Sequence, residues 1–320
     1  MKSILVTGGN GLVASQFIAQ VLRETDWTVY TTFNGNPANI NRLFDVTDEF
    51  SDEDNNRLVL SKKYNQDKKY DIIVHLAAAT DVGESITNPM KHVEQNIVET
   101  AKILELARTI PTLEKFIFVG SNEVFGPSDL NFYELDPLNP HSPYAGTKAA
   151  AEQLCISYYN TYNLPINIVR TMNVFGERQN PNRFFPLCVR KILNGEKIDV
   201  YDNFRTYIHA QDVADGIMFI LKGKFLFPDY DHEGCPRYHL VGDEETSNVS
   251  VVKKIGKALG IEPNYEVKFD GRTGYESRYS MSGFKLYSMG WKPKATLSQR
   301  IEQMALWSKN NKKWINWTRV

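Results

Sequence analysis

Ile4-Leu5-Val6 runs directly into Thr7-Gly8-Gly9-Asn10-Gly11-Leu12-Val13-Ala14, and apolar residues then recur at Phe17, Ile18, Val21 and Leu22. A β-branched run, a glycine turn and a helical repeat in that order form the opening of a dinucleotide-binding βα unit. Gly8 permits the tight turn, and Gly11 lets a pyrophosphate approach the backbone at the helix N-terminus. Ala14 takes the third small position, where the helix packs on the strand. Few other features constrain a fold so strongly, because the unit requires a parallel neighbour and a helix on the sheet face.

The rest of the first half repeats that rhythm. Trp27 to Phe33 reads as the second strand, followed by Asn34-Gly35-Asn36, where neither a carboxylate nor an adjoining arginine discriminates a ribose from its 2′-phosphate; Arg42 is the nearest cation. Residues 42–48 read as a third short strand ending at Asp45, with Asp45 and Val46 meeting the adenine edge; a helix-capping aspartate fits the spacing equally well. Residues 49–69 are polar and read as a solvated helix and loop. Tyr70 to Ala79 reads as a strand ending in small residues, so that a cofactor can lie against Leu76, Ala77 and Ala78. His75 is expected to be a packed strand residue. Val93 to Arg108 carries the pattern of a long amphipathic helix, Phe116 to Val119 is a buried strand, and Ile166 to Arg170 is another.

Chemistry-bearing residues gather in two stretches. Ser121, Asn122 and Glu123 follow the Phe116–Val119 strand, at the end where ligands bind in open parallel sheets. Tyr144 and Lys148 are four apart at the start of a helix that continues to Tyr159, so they share one face. Tyr64 and Lys68 have the same spacing, but no strand and helix frame that pair.

The order of elements predicts an α/β fold, a doubly wound parallel sheet, with a smaller, interleaved C-terminal domain. The expected boundaries are 1–172 for the cofactor-binding domain and 173–320 for most of the second, with residues 205–222 returning to the first. Net charge is −1, which gives no footprint for nucleic acid or an anionic membrane surface. No apolar run approaches the length that spans a bilayer, and the N-terminus reaches its glycine turn too soon for a signal peptide. Cys155, Cys188 and Cys235 are scattered without metal spacing, so no metal site is expected and a reducing cytoplasm is.

Thr7-Gly8-Gly9-Asn10-Gly11, His75-Leu76-Ala77-Ala78-Ala79, Ser121, and Tyr144 with Lys148 together resemble the extended short-chain dehydrogenase/reductases, whose nucleotide-binding half is Rossmann-like. The resemblance covers essentially the whole length. Further stretches are similar to the nucleotide-sugar 4,6-dehydratase branch: Ser121-Asn122-Glu123-Val124-Phe125-Gly126, Arg170 to Gly176, Asn182-Arg183-Phe184-Phe185-Pro186, Arg272 to Ser280 and Met289-Gly290-Trp291-Lys292-Pro293.

That resemblance implies tightly bound NAD or NADP, held by Gly8, Asn10, Gly11, Leu12, Val13, Asn34, Asp45, Val46, Leu76, Ala77, Ala78, Tyr144 and Lys148. It implies a nucleotide-sugar substrate at Thr80, Asn173, Arg183, Phe185, Tyr201, Arg205, Arg272 and Arg278, with guanidinium forks on phosphate oxygens. It also implies a homodimer built on the two long helices. The implied reaction converts a UDP- or dTDP-hexose, with UDP-N-acetylglucosamine or UDP-glucose first in line, to the 4-keto-6-deoxy sugar, with or without inversion at C5. Tyr144 would accept the 4-hydroxyl proton, its affinity for that proton lowered by Lys148 and the cationic nicotinamide ring, while Ser121 holds the developing ketone and Glu123 removes the C5 proton. Asn122 stands where the branch has an aspartic acid, and an amide cannot deliver a proton. The alternatives in view are a UDP-glucuronate decarboxylase or another nucleotide-sugar epimerase, and, from a different class, a non-catalytic NAD(P) sensor.

Overall fold

In the computed structural model, which describes residues 1–33, 37–48, 50–223, 234–269 and 278–316, seven strands form one parallel sheet. They are β1 (Ser3–Thr7), β2 (Thr28–Thr32), β3 (Leu58–Ser61), β4 (Ile72–His75), β5 (Lys115–Ser121), β6 (Ile166–Thr171) and β10 (Arg237–Leu240), in the order β10-β6-β5-β4-β1-β2-β3. The central strands are continuous apolar runs, as a sheet covered on both faces requires: β4 is buried at all four positions. The order reverses between β1 and β4, whose register pairs Thr7 with His75. The crevice beyond those two residues is therefore the switch point where ligands bind in this architecture.

Helices α1 (Leu12–Glu24) and α9 (Ala210–Lys222) cover one face, joining Phe17, Val21, Ile217 and Met218 in one apolar core. The other face carries α6 (Glu99–Arg108) and α7 (Pro143–Tyr162), with Ile103, Leu104, Ala151 and Cys155 packed on Phe116 and Phe118. The short helices α2 (Pro37–Thr47), α3 (Asp52–Asn55), α4 (Val82–Thr87) and α5 (Pro89–His92) fill the connections, and a π-helical stretch over Val93–Val98 joins α5 to α6. A third core lies among α8 (Phe184–Leu193), α10 (Asn248–Leu259) and α12 (Leu297–Asn310), where Cys188, Val252, Ile301 and Met304 meet. Beside it, β7 (Asn173–Phe175), β9 (Phe204–His209) and β11 (Glu245–Ser247) form a small sheet, and β8 (Ile198–Tyr201) pairs with β12 (Tyr265–Lys268). Helix α11 (Phe284–Ser288) lies against β10.

Two sequence expectations are corrected. Residues 42–48 do not form a strand: Arg42 to Thr47 belong to helix α2, with Leu43 buried. The third strand comes instead from the only apolar run of the following polar segment, Leu58-Val59-Leu60, which was expected to be solvated. Its register against Val29–Thr32 puts it at the sheet edge, and a run of three apolar residues inside a charged segment is too short to show a strand period.

Candidate active site

The glycine turn is shaped by what stands opposite it. Gly8 has φ +71°, and a Cβ there would lie 2.9 Å from the Ala77 Cα, so the turn and the segment after β4 touch backbone to backbone. Thr7 fixes that contact. Its Oγ1 accepts the Leu76 and Ala77 amides, both at 3.1 Å, so its own proton goes to His75 Nδ1 at 2.7 Å. His75 then donates from Nε2 to Thr100, whose hydroxyl donates to the Asn96 carbonyl. Burial and the nearby Lys148 charge push the histidine down to about 3, so it stays neutral and acts as a packed strut. Asn96 ties Ala79 to Thr147 of α7 by its amide.

Helix α1 begins at Gly11 with no side-chain cap, leaving its first amides, including those of Leu12 and Val13, without a side-chain partner. The buried Asn10 Nδ2 has no hydrogen-bond partner either. A glycine cradle, an uncapped 13-residue helix and an orphaned amide suit a dinucleotide diphosphate. Arg42 was not foreseen in this role: buried on α2, it donates from Nη1 to the Asn10 carbonyl and from Nε to the Arg178 carbonyl at 2.8 Å. Asp45, placed by sequence at the adenine edge, instead receives Arg178 at 2.5 Å and Lys313 at 2.7 Å. Val46 is half-buried on the same helix. Asn34 lies outside the described residues.

At the end of β5, Ser121 caps a 3₁₀ turn over Asn122–Phe125 by accepting the Glu123 amide. Ser142 caps α7 by accepting the Ala145 amide at 3.1 Å, and Pro143 follows as the first helical residue. These caps bring Ser121 and Tyr144 together, close enough for the serine hydroxyl to favour the phenolate. Lys148 donates to the Val119 carbonyl at 2.8 Å and lies 4.5 Å over the Phe118 ring, and burial lowers its ammonium to about 8. Burial pushes Glu123 up to about 7, against the pull of the Arg205 and Arg183 charges. In the protein alone, burial and then the Glu123 charge hold the Tyr144 phenol well above the usual range, with Ser121 and Arg183 acting the other way. Asn122 is buried, and its Nδ2 has no hydrogen-bond partner.

Arg170, within β6 and at the head of the Arg170–Gly176 stretch, forms the frame behind these groups, a role its sequence position does not reveal. Fully buried, it grips Glu152 with two nitrogens, donates to the Glu134 carbonyl at 2.9 Å and stands 4.6 Å over the Phe125 ring. Glu152 is one turn beyond Lys148 on α7, so one ion pair ties β6, α7 and the turn carrying Glu123.

The expected substrate residues divide. Arg205 is buried, donates to the Phe204 carbonyl and stands 5.0 Å over Tyr279. Arg183 is 3.3 Å from Asp81 and reaches the Thr80 carbonyl at 3.4 Å, beside exposed Thr80. Both arginines act on Glu123, so they share its surroundings. Asn173 is half-buried, its Oδ1 without a partner. Arg278 binds Glu245 at 2.7 Å and the Ser128 carbonyl at 2.8 Å. Phe185 is enclosed between Phe175 and Tyr207 as part of the core, and half-buried Tyr201 ends β8. Arg272 lies outside the described residues. No group of side chains suited to a metal ion occurs among the described residues, and no helix among them is long and apolar enough to cross a membrane.

Comparison with known proteins agrees with this geometry. Residues 4–228 match the NAD dependent epimerase/dehydratase family. The chain is 30% identical to the low-salt glycan biosynthesis protein Agl12 of Haloferax volcanii, over 93% of this chain and 96% of the relative. It is 28% identical to the dTDP-glucose 4,6-dehydratase of Streptomyces niveus, over 97% and 94%. The dTDP-glucose 4,6-dehydratase DesIV of Streptomyces venezuelae, solved with NAD bound, superposes with a TM-score of 0.84 at 28% identity, covering 98% of this chain and 99% of that one. A family match over most of the chain, on a sheet with the Tyr144–Lys148 pair at its carboxyl end, shows that this protein belongs to the NAD dependent epimerase/dehydratase family of extended short-chain dehydrogenase/reductases.

Proposed function

We propose that this protein is a nucleotide-sugar 4,6-dehydratase with NAD held through the catalytic cycle, acting on a UDP- or dTDP-linked hexose. The observation that carries the reading is the joining of Glu123 to the Ser121, Tyr144 and Lys148 set: redox chemistry at C4 needs the last three, and only a further step at C5 needs a carboxylate base. The relatives named dTDP-glucose 4,6-dehydratase make dTDP-glucose the first sugar to test, ahead of UDP-glucose and UDP-N-acetylglucosamine.

The cofactor would be held by the Gly8–Val13 turn, Leu76 to Ala78, Tyr144 and Lys148. Arg42 turns its Nε and Nη1 to two backbone carbonyls of the protein, which supports NAD over NADP. When bound, NAD supplies a hydride acceptor for C4 and a donor for C6. Tyr144 takes the 4-hydroxyl proton, with Ser121 donating to the developing ketone. Because burial and Glu123 oppose the phenolate, Tyr144 depends on positive charge nearby, which Lys148 provides while still protonated near neutral pH. The 4-ketone then acidifies C5–H, and Glu123 removes that proton. Arg183, Arg205 and Asn173 would hold the nucleotide diphosphate, with Arg278 joining them by leaving Glu245.

A panel of nucleotide sugars followed by mass tests the reading. Loss of one water from a hexose, without net accumulation of reduced cofactor, is the expected outcome. Loss of carbon dioxide from UDP-glucuronate would favour the decarboxylase, and no turnover of any sugar would favour the sensor. A homodimer through the outer faces of the 89–108 helical run and α7 is part of the proposal, since α7 lacks a single apolar stripe. Light scattering at micromolar concentration should give twice the 36.6 kDa chain mass.

A further inference from the structure

We propose that Glu123 serves both ends of the elimination: the proton it removes from C5 is the proton that leaves with the C6 oxygen. This rests on the dehydratase reading above. Dehydration needs a base at C5 and an acid at C6, and a vicinal syn elimination puts both atoms within reach of one carboxylate. The residue beside Glu123 on the 3₁₀ turn, Asn122, is an amide and has no proton to give. Among the described residues, Glu123 is the one carboxylate whose charge acts on the Tyr144 phenol. Asp81, at the same end of the sheet, pairs with Arg183. Lys148 donates to the Val119 carbonyl, and Tyr144 lies beside Ser121.

The step balances on one residue. Glu123 takes the C5 proton, and the C–H electron pair becomes the C5–C6 double bond conjugated with the 4-ketone. The C6–O bond breaks with its electrons on oxygen, Glu123 returns the proton to that oxygen, and water leaves with the carboxylate restored. A group that shuttles a proton in this way works best when neither of its forms is strongly favoured. Burial, partly offset by two arginines, gives Glu123 that balance near neutrality. Asn122 has its own part: its buried Nδ2, without a partner in the protein, donates a hydrogen bond to the C6 oxygen and holds it toward Glu123.

The test supplies the hexose nucleotide as its ready-made 4-ketone, so that only the elimination is followed, by loss of water in rapid-quench mass spectrometry. Deuterium at C5 should slow water loss at least two-fold, while D₂O should leave the rate unchanged for the undeuterated sugar, because the transferred proton never comes from solvent. Asn122→Ala should retain water loss within about ten-fold, and Glu123→Gln should lose it by a hundred-fold or more. A two-fold or larger slowing in D₂O, or no slowing by C5 deuterium, would overturn the shuttle and leave the dehydratase reading standing. If the wild-type protein releases no water from any 4-keto hexose, both fall together.

Discussion

Replacing Glu123 by glutamine should stabilise the protein while stopping the reaction. Burial raises this carboxyl from 4.5 to about 7, even with Arg205 and Arg183 pulling it down. The folded state therefore keeps the proton to higher pH than the unfolded chain does. Stability that is fully present below pH 4.5 is lost as pH rises toward and through 7. Integrated over that window, the ionised carboxylate costs the fold about 3 kcal/mol at pH 8 and roughly half of that at pH 5.5. Glutamine keeps the shape and has no such dependence. Urea unfolding followed by circular dichroism should thus place Glu123→Gln about 3 kcal/mol above wild type at pH 8, the advantage shrinking by about half at pH 5.5. In melting temperature the pH-dependent part is roughly 3 °C for a chain of this size. A glutamine variant less stable than wild type at pH 8, or one whose advantage does not change with pH, would refute the view that Glu123 is held against its charge. The functional arm of the same variant is loss of water release, so one substitution separates what the fold prefers from what the chemistry needs.

Tyr144→Phe removes the proton acceptor for C4 and should lower kcat by roughly 10³-fold with little change in melting temperature, read by ketone formation and by calorimetry. Gly8→Ala places a Cβ 2.9 Å from the Ala77 backbone at a φ of +71°, and should cost about 1–3 kcal/mol and weaken cofactor retention, measured by NAD released on denaturation. Glu152→Gln leaves Arg170 buried without its anion and should destabilise by about 3–5 kcal/mol, whereas Glu152→Gln combined with Arg170→Met should recover much of that loss in urea titrations.

What the sequence makes legible follows from the range of the forces involved. The β1–turn–α1 unit, the strand before Ser121 and the helix bearing Tyr144 and Lys148 are written locally, in glycines, caps and apolar period, and the structure has them where those signals put them. Residues 42–48 mislead because Leu43, Phe44 and Val46 suit a short strand or one face of a helix equally well, and contacts across 130 residues decide for the helix. Leu58 to Ser61 is missed for a different reason: its three apolar residues are too short a run to show a strand period, and the surrounding segment is polar. At the site, residue types and spacing identify Tyr144, Lys148, Ser121 and Glu123, but not Arg170 behind them or the direction in which burial moves the phenol. Those depend on side chains brought together from β6, α7, β10 and the segment near Glu134.

The pairing of β10 with β6 has a consequence for how the protein is made. Ile168 and Val169 pair early with Phe118 and Val119 of β5, but their other edge is covered only when Arg237 to Leu240 arrive. At ordinary elongation rates a ribosome needs roughly 3–13 s to add the residues between the two strands. Throughout that interval the nascent chain presents an unpaired parallel edge flanked by apolar side chains, a template for pairing with another chain. The helix that covers α1 is likewise made late, between residues 210 and 222. A fragment ending near residue 172 would keep that edge permanently. It should precipitate or bind chaperones rather than behave as a free-standing nucleotide-binding module, and a pause in translation before residue 237 should lower the yield of soluble protein.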